Sequence, residues 1–181
     1  MIQTAVFFAE GFEEVESLTV VDLLRRASID TMMVSVTGKK EVIGSHGIIV
    51  TTNQLIEDVN FDSLSMLILP GGMPGTKNLD NCAILKKQIL EFNEKDKYIA
   101  AICAAPMVLG HLGVLQGKKA CCYPGYEKDL LGAKAAEYKA VVDGNIITGR
   151  GVGTAIDFAL AIIAELKGKQ EAEHIAASII F

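Results

Sequence analysis

The chain has 181 residues, half of them hydrophobic, with four cysteines, three histidines and a formal net charge of −5. That length and apolar content suit one domain spanning residues 1–181 with a full core, and they exclude a disordered chain. The acidic balance offers no basic face to nucleic acid or an anionic membrane.

The most continuous apolar run, Tyr98 to Leu109, falls short of the roughly 20 residues a bilayer span needs. No basic stretch precedes Glu10 as a signal peptide would require. Cys82, Cys103, Cys121 and Cys122 show neither C-x-x-C spacing nor the density of a secreted scaffold, so the chain reads as cytoplasmic with reduced thiols.

In chain order, Ile2–Phe8 reads as a buried strand. Val15–Ala27 follows as a helix, with Val15, Leu18, Val21 and Leu24 at helical spacing. Thr31–Val36 is β-branched and strand-like. Val42–Gly44 and Ile48–Thr51, interrupted by Ser45-His46-Gly47, suggest a short hairpin. Met66–Leu69 is a central strand closed by Pro70-Gly71-Gly72. A helix over Asn81–Asn93 precedes the strand Tyr98–Ile102 and a helix from Ala104 to about His111. Lys119–Cys122 is strand-like and stops at Pro124. Val141–Ile147 carries a hairpin signal, with Asp143-Gly144 suited to a primed turn. Thr154–Lys167 is a long helix with Ile156, Leu160 and Ile163 on its inner face.

Strands that alternate with helices and are apolar throughout predict a mostly parallel sheet with helices on both faces, an α/β three-layer sandwich. Ligands in such folds bind beyond the carboxyl ends of the strands. Three turns fall at such ends: Ala9–Phe12, Pro70–Gly75 and Cys103–Pro106.

Cys103 stands where a short apolar strand breaks into a helix. The first amides of that helix favour an anion, and hence a thiolate; a buried structural thiol is the other reading. Gly71 and Gly72 can hold successive amides in an anion-binding array, or serve only a tight turn. Glu13, Glu14 and Glu16 enter the first turn of a helix, where acids are favoured in any case. Glu16, one step from the apolar stripe, is the one placed for partial burial and a raised pKa. Gly149-Arg-Gly-Val-Gly-Thr154 lacks the Gly-Lys-Ser/Thr ending of a phosphate loop, and its glycines suit close approach of a helix to the sheet.

His46, His111 and His174 have no partners at metal spacing, so no metal site is expected. His46 is the one free to face a cleft, His111 suits a helix C-terminus, and His174 suits the surface. Cys121 and Cys122, adjacent on a strand, point to opposite faces.

Four segments, in order, carry a resemblance over nearly the whole chain. They are Glu13-Glu-Val-Glu16, Leu69-Pro-Gly-Gly72, Ala101-Ile-Cys-Ala-Ala-Pro106 and Gly149-Arg-Gly-Val-Gly-Thr-Ala-Ile-Asp-Phe-Ala-Leu-Ala161. Together they resemble the ThiJ/PfpI superfamily, in the DJ-one-like branch of the parkinsonism-associated deglycase. The resemblance implies a flavodoxin-like sandwich, a homodimer, and Cys103 at a nucleophile elbow with Glu16 hydrogen-bonded to its sulfur. It also implies an anion pocket lined by the amides of Gly72 and Ala104, with Gly71 beside them.

The chain departs from the family in three places. Ala104 stands where peptidase-like members have histidine, Tyr123 where the deglycase branch often has histidine, and His46 where some relatives have arginine. Tyr123 and His46 are therefore candidate substrate-pocket residues. The resemblance implies a cofactor-free enzyme on small α-oxoaldehydes or glycated adducts, of glyoxalase or deglycase type. The alternative is a redox-sensing stress protein or chaperone that uses oxidation of Cys103. A cysteine peptidase or amidase is less favoured, because it lacks the adjacent histidine.

Overall fold

A computed structural model of the chain describes residues 3–181; Ile2, assigned above to the first strand, lies outside them. The elements run β1 (Gln3–Phe8), α1 (Glu14–Arg26), β2 (Asp30–Ser35), β3 (Glu41–Ile43), β4 (Ile49–Thr51), β5 (Gln54–Leu55), β6 (Met66–Leu69) and α2 (Gly75–Asp80). There follow α3 (Ala83–Glu94), β7 (Tyr98–Ile102), α4 (Pro106–His111), β8 (Lys119–Ala120), β9 (Lys134–Ala135), β10 (Ala140–Asp143), β11 (Ile146–Gly149), α5 (Ala155–Lys167) and α6 (Lys169–Ser178).

Seven strands form one sheet in the order β10-β11-β7-β6-β1-β2-β5, parallel throughout except for the β10–β11 hairpin. Successive side chains on β1 serve opposite layers. Ala5 and Phe7 enter one core with Leu79, Leu85, Ile89 and Phe92 of α2 and α3, while Val6 and Phe8 enter the other with Leu24, Phe158 and Ile162 of α1 and α5. This is the expected three-layer, flavodoxin-like α/β sandwich: strands buried on both faces need no polar alternation.

After β1 the chain steps outward to β2 and β5, then returns to lay β6 on the other side of β1. The direction of winding reverses between β1 and β6. Such a reversal leaves a crevice at the carboxyl ends of the strands. The turns after β1, β6 and β7 meet there.

Several details differ from the sequence expectation. Of the expected stripe Val21 and Leu24 are buried, but Val15 and Leu18 face outward, and Val20 and Leu23 complete the inner face of α1. Its first turn overhangs the sheet edge, so the inward positions there belong to Glu16 and Ser17 rather than to apolar core. On α5 the buried set is Ala155, Phe158, Ala159, Ile162 and Ile163, with Ile156 and Leu160 only half-buried.

The β10–β11 turn is Gly144-Asn145, one residue later than expected, with Gly144 at φ 61 and Asp143 paired to Ile146. The strand expected over Lys119–Cys122 is confined to Lys119–Ala120 and pairs with Lys134–Ala135 outside the main sheet. The edge strand β5 and the helices α2 and α6 have no counterpart in the sequence reading.

The glycine-rich segment 149–154 brings α5 onto the sheet, but through one glycine. A Cβ on Gly149 would stand 2.8 Å from Ile102 Cγ1 and 2.9 Å from the Phe158 ring, whereas one on Gly153 would meet nothing within 4 Å. Gly149→Ala therefore overpacks the β11–α5 junction and is expected to cost about 1–3 kcal/mol. Gly153→Ala is expected to stay within about 0.5 kcal/mol of the parent chain. Urea unfolding of the two variants side by side checks the contrast, and equal effects would refute this account of the segment.

Candidate active site

Cys103 is the first residue after β7 and has φ 64, a left-handed conformation that a non-glycine residue adopts only when its surroundings impose it. Both of its backbone groups are held. Its N–H donates to Gly149 O at 3.0 Å, and its C=O accepts from Tyr123 N at 2.8 Å. The chain thus turns sharply from strand to helix, with Pro106 at the first position of α4, where a missing N–H costs nothing. The side chain is left half-buried at the bottom of a cleft.

Glu16 reaches the same point from α1 and is fully buried. Its Oε2 accepts from Gly71 N at 2.9 Å. Among the described residues Oε1 has no hydrogen-bond partner, and the Cys103 thiol lies beside the same carboxyl and interacts with it. Glu13 fastens the frame: its side chain accepts from Glu16 N at 2.7 Å, and its own N–H donates to Gly71 O at 2.9 Å.

The glycines after β6 make this closeness possible. A Cβ on Gly71 would lie 2.6 Å from Cys103 Cβ and 2.7 Å from Glu16 Oε2. Gly72, at φ 89, lies with Gly75 flat against the backbone of the Gly11–Phe12 turn.

Burial first, then repulsion from Glu13, pushes the Glu16 carboxyl up to about 7, against the lowering effects of its hydrogen bonds to Cys103 and Gly71. Burial also pushes the Cys103 thiol up, and a charged Glu16 beside it adds to the rise; the amides of Ala104 and Gly72 act the other way. Helix amides alone therefore do not produce the thiolate.

The two groups titrate as a pair, in which two negative charges side by side are strongly disfavoured and one is tolerated. With its proton on Glu16, the pair presents a thiolate that accepts a hydrogen bond from the acid and from two amides. Gly72 and Ala104 thus direct their amides at the sulfur. Gly71 stands apart from that role, because its N–H is spent on Glu16.

The cleft above the sulfur measures about 140 Å³ and is lined by Gly72, Met73, Ala104, Tyr123 and Tyr126. Met73 and Tyr126 were not singled out in the sequence. Tyr126 follows Tyr123 at the other end of a Pro-Gly turn, which was the available signal. A wider depression of about 720 Å³ lies at the opposite, amino-terminal end of the sheet, around Arg25, Asp30 and Gln54, away from these groups.

His46 is not among the cleft-lining residues. It sits exposed at the tip of the β3–β4 hairpin and clasps the start of α1. Its N–H and ring Nδ1 contact the two oxygens of buried Glu14 at 2.6 and 2.8 Å, and Ser45 Oγ donates to the same carboxylate at 3.1 Å. Burial opposes the charge on Glu14, but the hydrogen bonds from His46 and Ser45 hold its carboxyl down at about 2. The hydrogen bond to Glu14 in turn raises the His46 imidazole. Glu13, Glu14 and His46 bring carboxylate and imidazole atoms within 4.8 Å of one another, and the Glu14 oxygens there are already satisfied by the hairpin.

His111 bonds Asp80 of α2 through Nδ1 at 2.8 Å, and His174 is exposed. Cys121 and Cys122 are both buried; Cys121 donates to Thr148 O, and Cys122 packs into the core on the α2–α4 side. Among the described residues no helix is long and apolar enough to cross a membrane.

This constellation can be set beside known proteins. A curated relative, Protein DJ-1 homolog B of Arabidopsis thaliana, is 35% identical over 174 residues, which are 95% of this chain and 40% of that protein. The chain spans less than half the length of the Arabidopsis relatives it matches. The zebrafish (Danio rerio) Parkinson disease protein 7 homolog is 33% identical over 179 residues, 97% of this chain and 95% of the relative. Among solved structures, oxidized Toxoplasma gondii DJ-1 superposes with a TM-score of 0.96 at 34% identity, covering 100% of this chain and 99% of that one. The DJ-1/PfpI family model matches residues 3–165, a span that holds the elbow, the acid and the glycine turn, and the chain belongs to that family.

Proposed function

We propose that the chain is a cysteine-dependent enzyme acting on small α-oxoaldehydes, or on the adducts they form with amines and thiols, without a cofactor. The observation that carries this reading is a fully buried carboxyl, raised to about 7, set against a half-buried elbow thiol at the floor of a small cleft.

Thiolate Cys103 adds to the aldehyde carbon, and the developing oxyanion is met by the amides of Gly72 and Ala104. The oxyanion takes the proton that Glu16 holds. The carboxylate left behind then carries the proton of the former aldehyde carbon to its neighbour while the hydroxyl proton passes to the neighbouring oxygen, which converts the hemithioacetal to a thioester. Water then cleaves the thioester to a 2-hydroxy acid and returns the thiol. On an adduct, the same attack at the aldehyde-derived carbon displaces the amine or thiol that carried it, which leaves with the bonding pair and takes the proton held by Glu16. Ala104 follows Cys103 where peptidase-like relatives have histidine, so a Cys-His dyad of that kind is absent and peptide hydrolysis is disfavoured.

Cys103→Ser is expected to abolish methylglyoxal turnover, and Glu16→Gln to lower kcat by about 10²–10⁴-fold, the range of general acid–base catalysis. In the parent chain the rate should rise once with pH, with an apparent pKa no higher than about 7.

Stability should move the other way. The folded value for Glu16 lies above its ordinary 4.5, so stability is intact below 4.5 and falls by on the order of 3 kcal/mol as pH rises to about 7. Glutamine escapes that loss while keeping an acceptor for Gly71 N–H, so Glu16→Gln should be the more stable chain above pH 7 despite its lowered kcat. Full turnover by either variant would refute the mechanism.

A second reading rests on the same sulfur and on its likeness to an oxidized DJ-1 structure. In it, oxidation carries Cys103 to a sulfinic acid whose oxygens are held by Glu16 and the two amides. Mild peroxide followed by peptide mass spectrometry should place a two-oxygen adduct on Cys103 before Cys82, Cys121 or Cys122. Earlier oxidation of any of those three would count against it.

We further propose that the chain pairs with a second copy across the exposed apolar side chains of α1 and the hairpin clasped to it. Val15, Leu18, Ile48 and Ile49 are 52%, 36%, 53% and 62% exposed there. Sedimentation should return twice the chain mass and, for Leu18→Lys, the single chain mass; a monomeric parent chain would refute the pairing.

A further inference from the structure

We propose that the turn Tyr123-Pro124-Gly125-Tyr126 is the specificity element of this cleft, admitting small uncharged carbonyl compounds and turning away those that carry a carboxylate. The proposal rests on the enzymatic reading above and names the substrate class within it.

The turn is built to hold its rings in place. Tyr126 N–H donates to Tyr123 O at 3.1 Å, and Gly125 takes φ 98, which a glycine after proline supplies at no steric cost. Tyr123 N–H is anchored on the carbonyl of Cys103 itself. The Tyr123 ring lies against Gly151, where a Cβ would stand 3.2 Å from ring Cδ2. Tyr126 is half-buried and packs onto the core on the α2–α4 side. The position of the turn is therefore fixed relative to the reacting sulfur, and a substrate meets formed walls.

Those walls set both size and charge. The cleft of about 140 Å³ is open to solvent on one side and has room for a small carbonyl compound above the sulfur. Its lining residues Gly72, Met73, Ala104, Tyr123 and Tyr126 include no cation. Arg150 lines a neighbouring cavity with Cys121, Cys122 and Glu127, and His46 is engaged by Glu14 on the hairpin.

At the floor, Cys103 and Glu16 hold one negative charge between them, and the nearest amides are directed at the sulfur. A carboxylate entering this space sheds its water, approaches a like charge and finds no counter-ion. A neutral dicarbonyl meets none of these costs, and the aromatic walls suit its apolar carbon. Discrimination here works by exclusion rather than by an added attraction.

Iodoacetamide and iodoacetate test this without requiring turnover. They have the same shape and differ by one charge; in each, the thiolate sulfur displaces iodide, which leaves with the bonding pair as the S–C bond forms. Alkylation rates at Cys103 in reduced protein, read by peptide mass spectrometry, are divided by those for mercaptoethanol under the same conditions. Cys103 should favour iodoacetamide over iodoacetate by at least about tenfold beyond mercaptoethanol. Tyr123→Arg and Tyr126→Arg should each cut that excess severalfold, and Tyr123→Phe should preserve it.

A Cys103 preference no greater than that of mercaptoethanol overturns the proposal, as does an excess left unchanged in both arginine variants. Methylglyoxal turnover is read on the same samples. A retained excess without turnover would sink the enzymatic reading and leave the charge filter standing, and turnover without the excess would do the reverse.

Discussion

One buried negative charge shared between a carboxyl and a thiol is the constraint around which the carboxyl edge of this sheet is organised. Among the described residues neither group has a counter-ion, and burial raises both. The surroundings answer with donors instead: Gly71 N–H on the carboxylate, and the amides of Gly72 and Ala104 on the sulfur. A pair so arranged cannot lose both protons near neutrality, so deprotonation of one partner keeps the other protonated. The acid and the nucleophile thus appear together rather than at separate pH values.

Holding the pair together requires backbone where side chains would otherwise stand. The loops after β1 and β6 touch main chain to main chain, with Gly75 N–H on Gly11 O at 3.1 Å and Glu13 N–H on Gly71 O. The left-handed turn at Cys103 is kept in place by Gly149 on one side and Tyr123 on the other. Sheet topology supplies the convergence, since the winding reverses at β1 and β6 and sends three turns into one crevice. The hairpin adds a further restraint by fixing Glu14, two residues before the acid, through His46 and Ser45.

What was legible in the sequence follows the same physics. Apolar strands and the glycine and proline punctuation at 70–72 and 103–106 read directly, because a parallel sheet buries both faces and its turns need those residues. The inward face of α1 did not read correctly. Periodicity assigns Val15 and Leu18 to the core, whereas the first turn lies past the sheet edge and points acids inward. His46 drew attention as a free histidine, yet its partner is an acid 32 positions away that periodicity does not connect to it. Tyr126 was missed because its part of the cleft wall is made by a segment outside the main sheet, where no strand or helix period marks which side chains face inward; Met73 lay inside the turn after β6, where the glycines alone drew attention.

That division separates the chemistry from the choice of substrate. The sulfur, the acid and the amides come from turns pinned by the central strands β1, β6 and β7, and a change at Gly71 would disturb all of them at once. The tyrosines come from a turn beyond β8, attached to the elbow by one backbone hydrogen bond and to the 149–154 segment by ring contact with Gly151. Substitution there alters the walls while leaving the strands, the glycine turn and the shared proton where they are. Under the proposed specificity, Tyr123 sets what the cleft admits rather than what its sulfur can do.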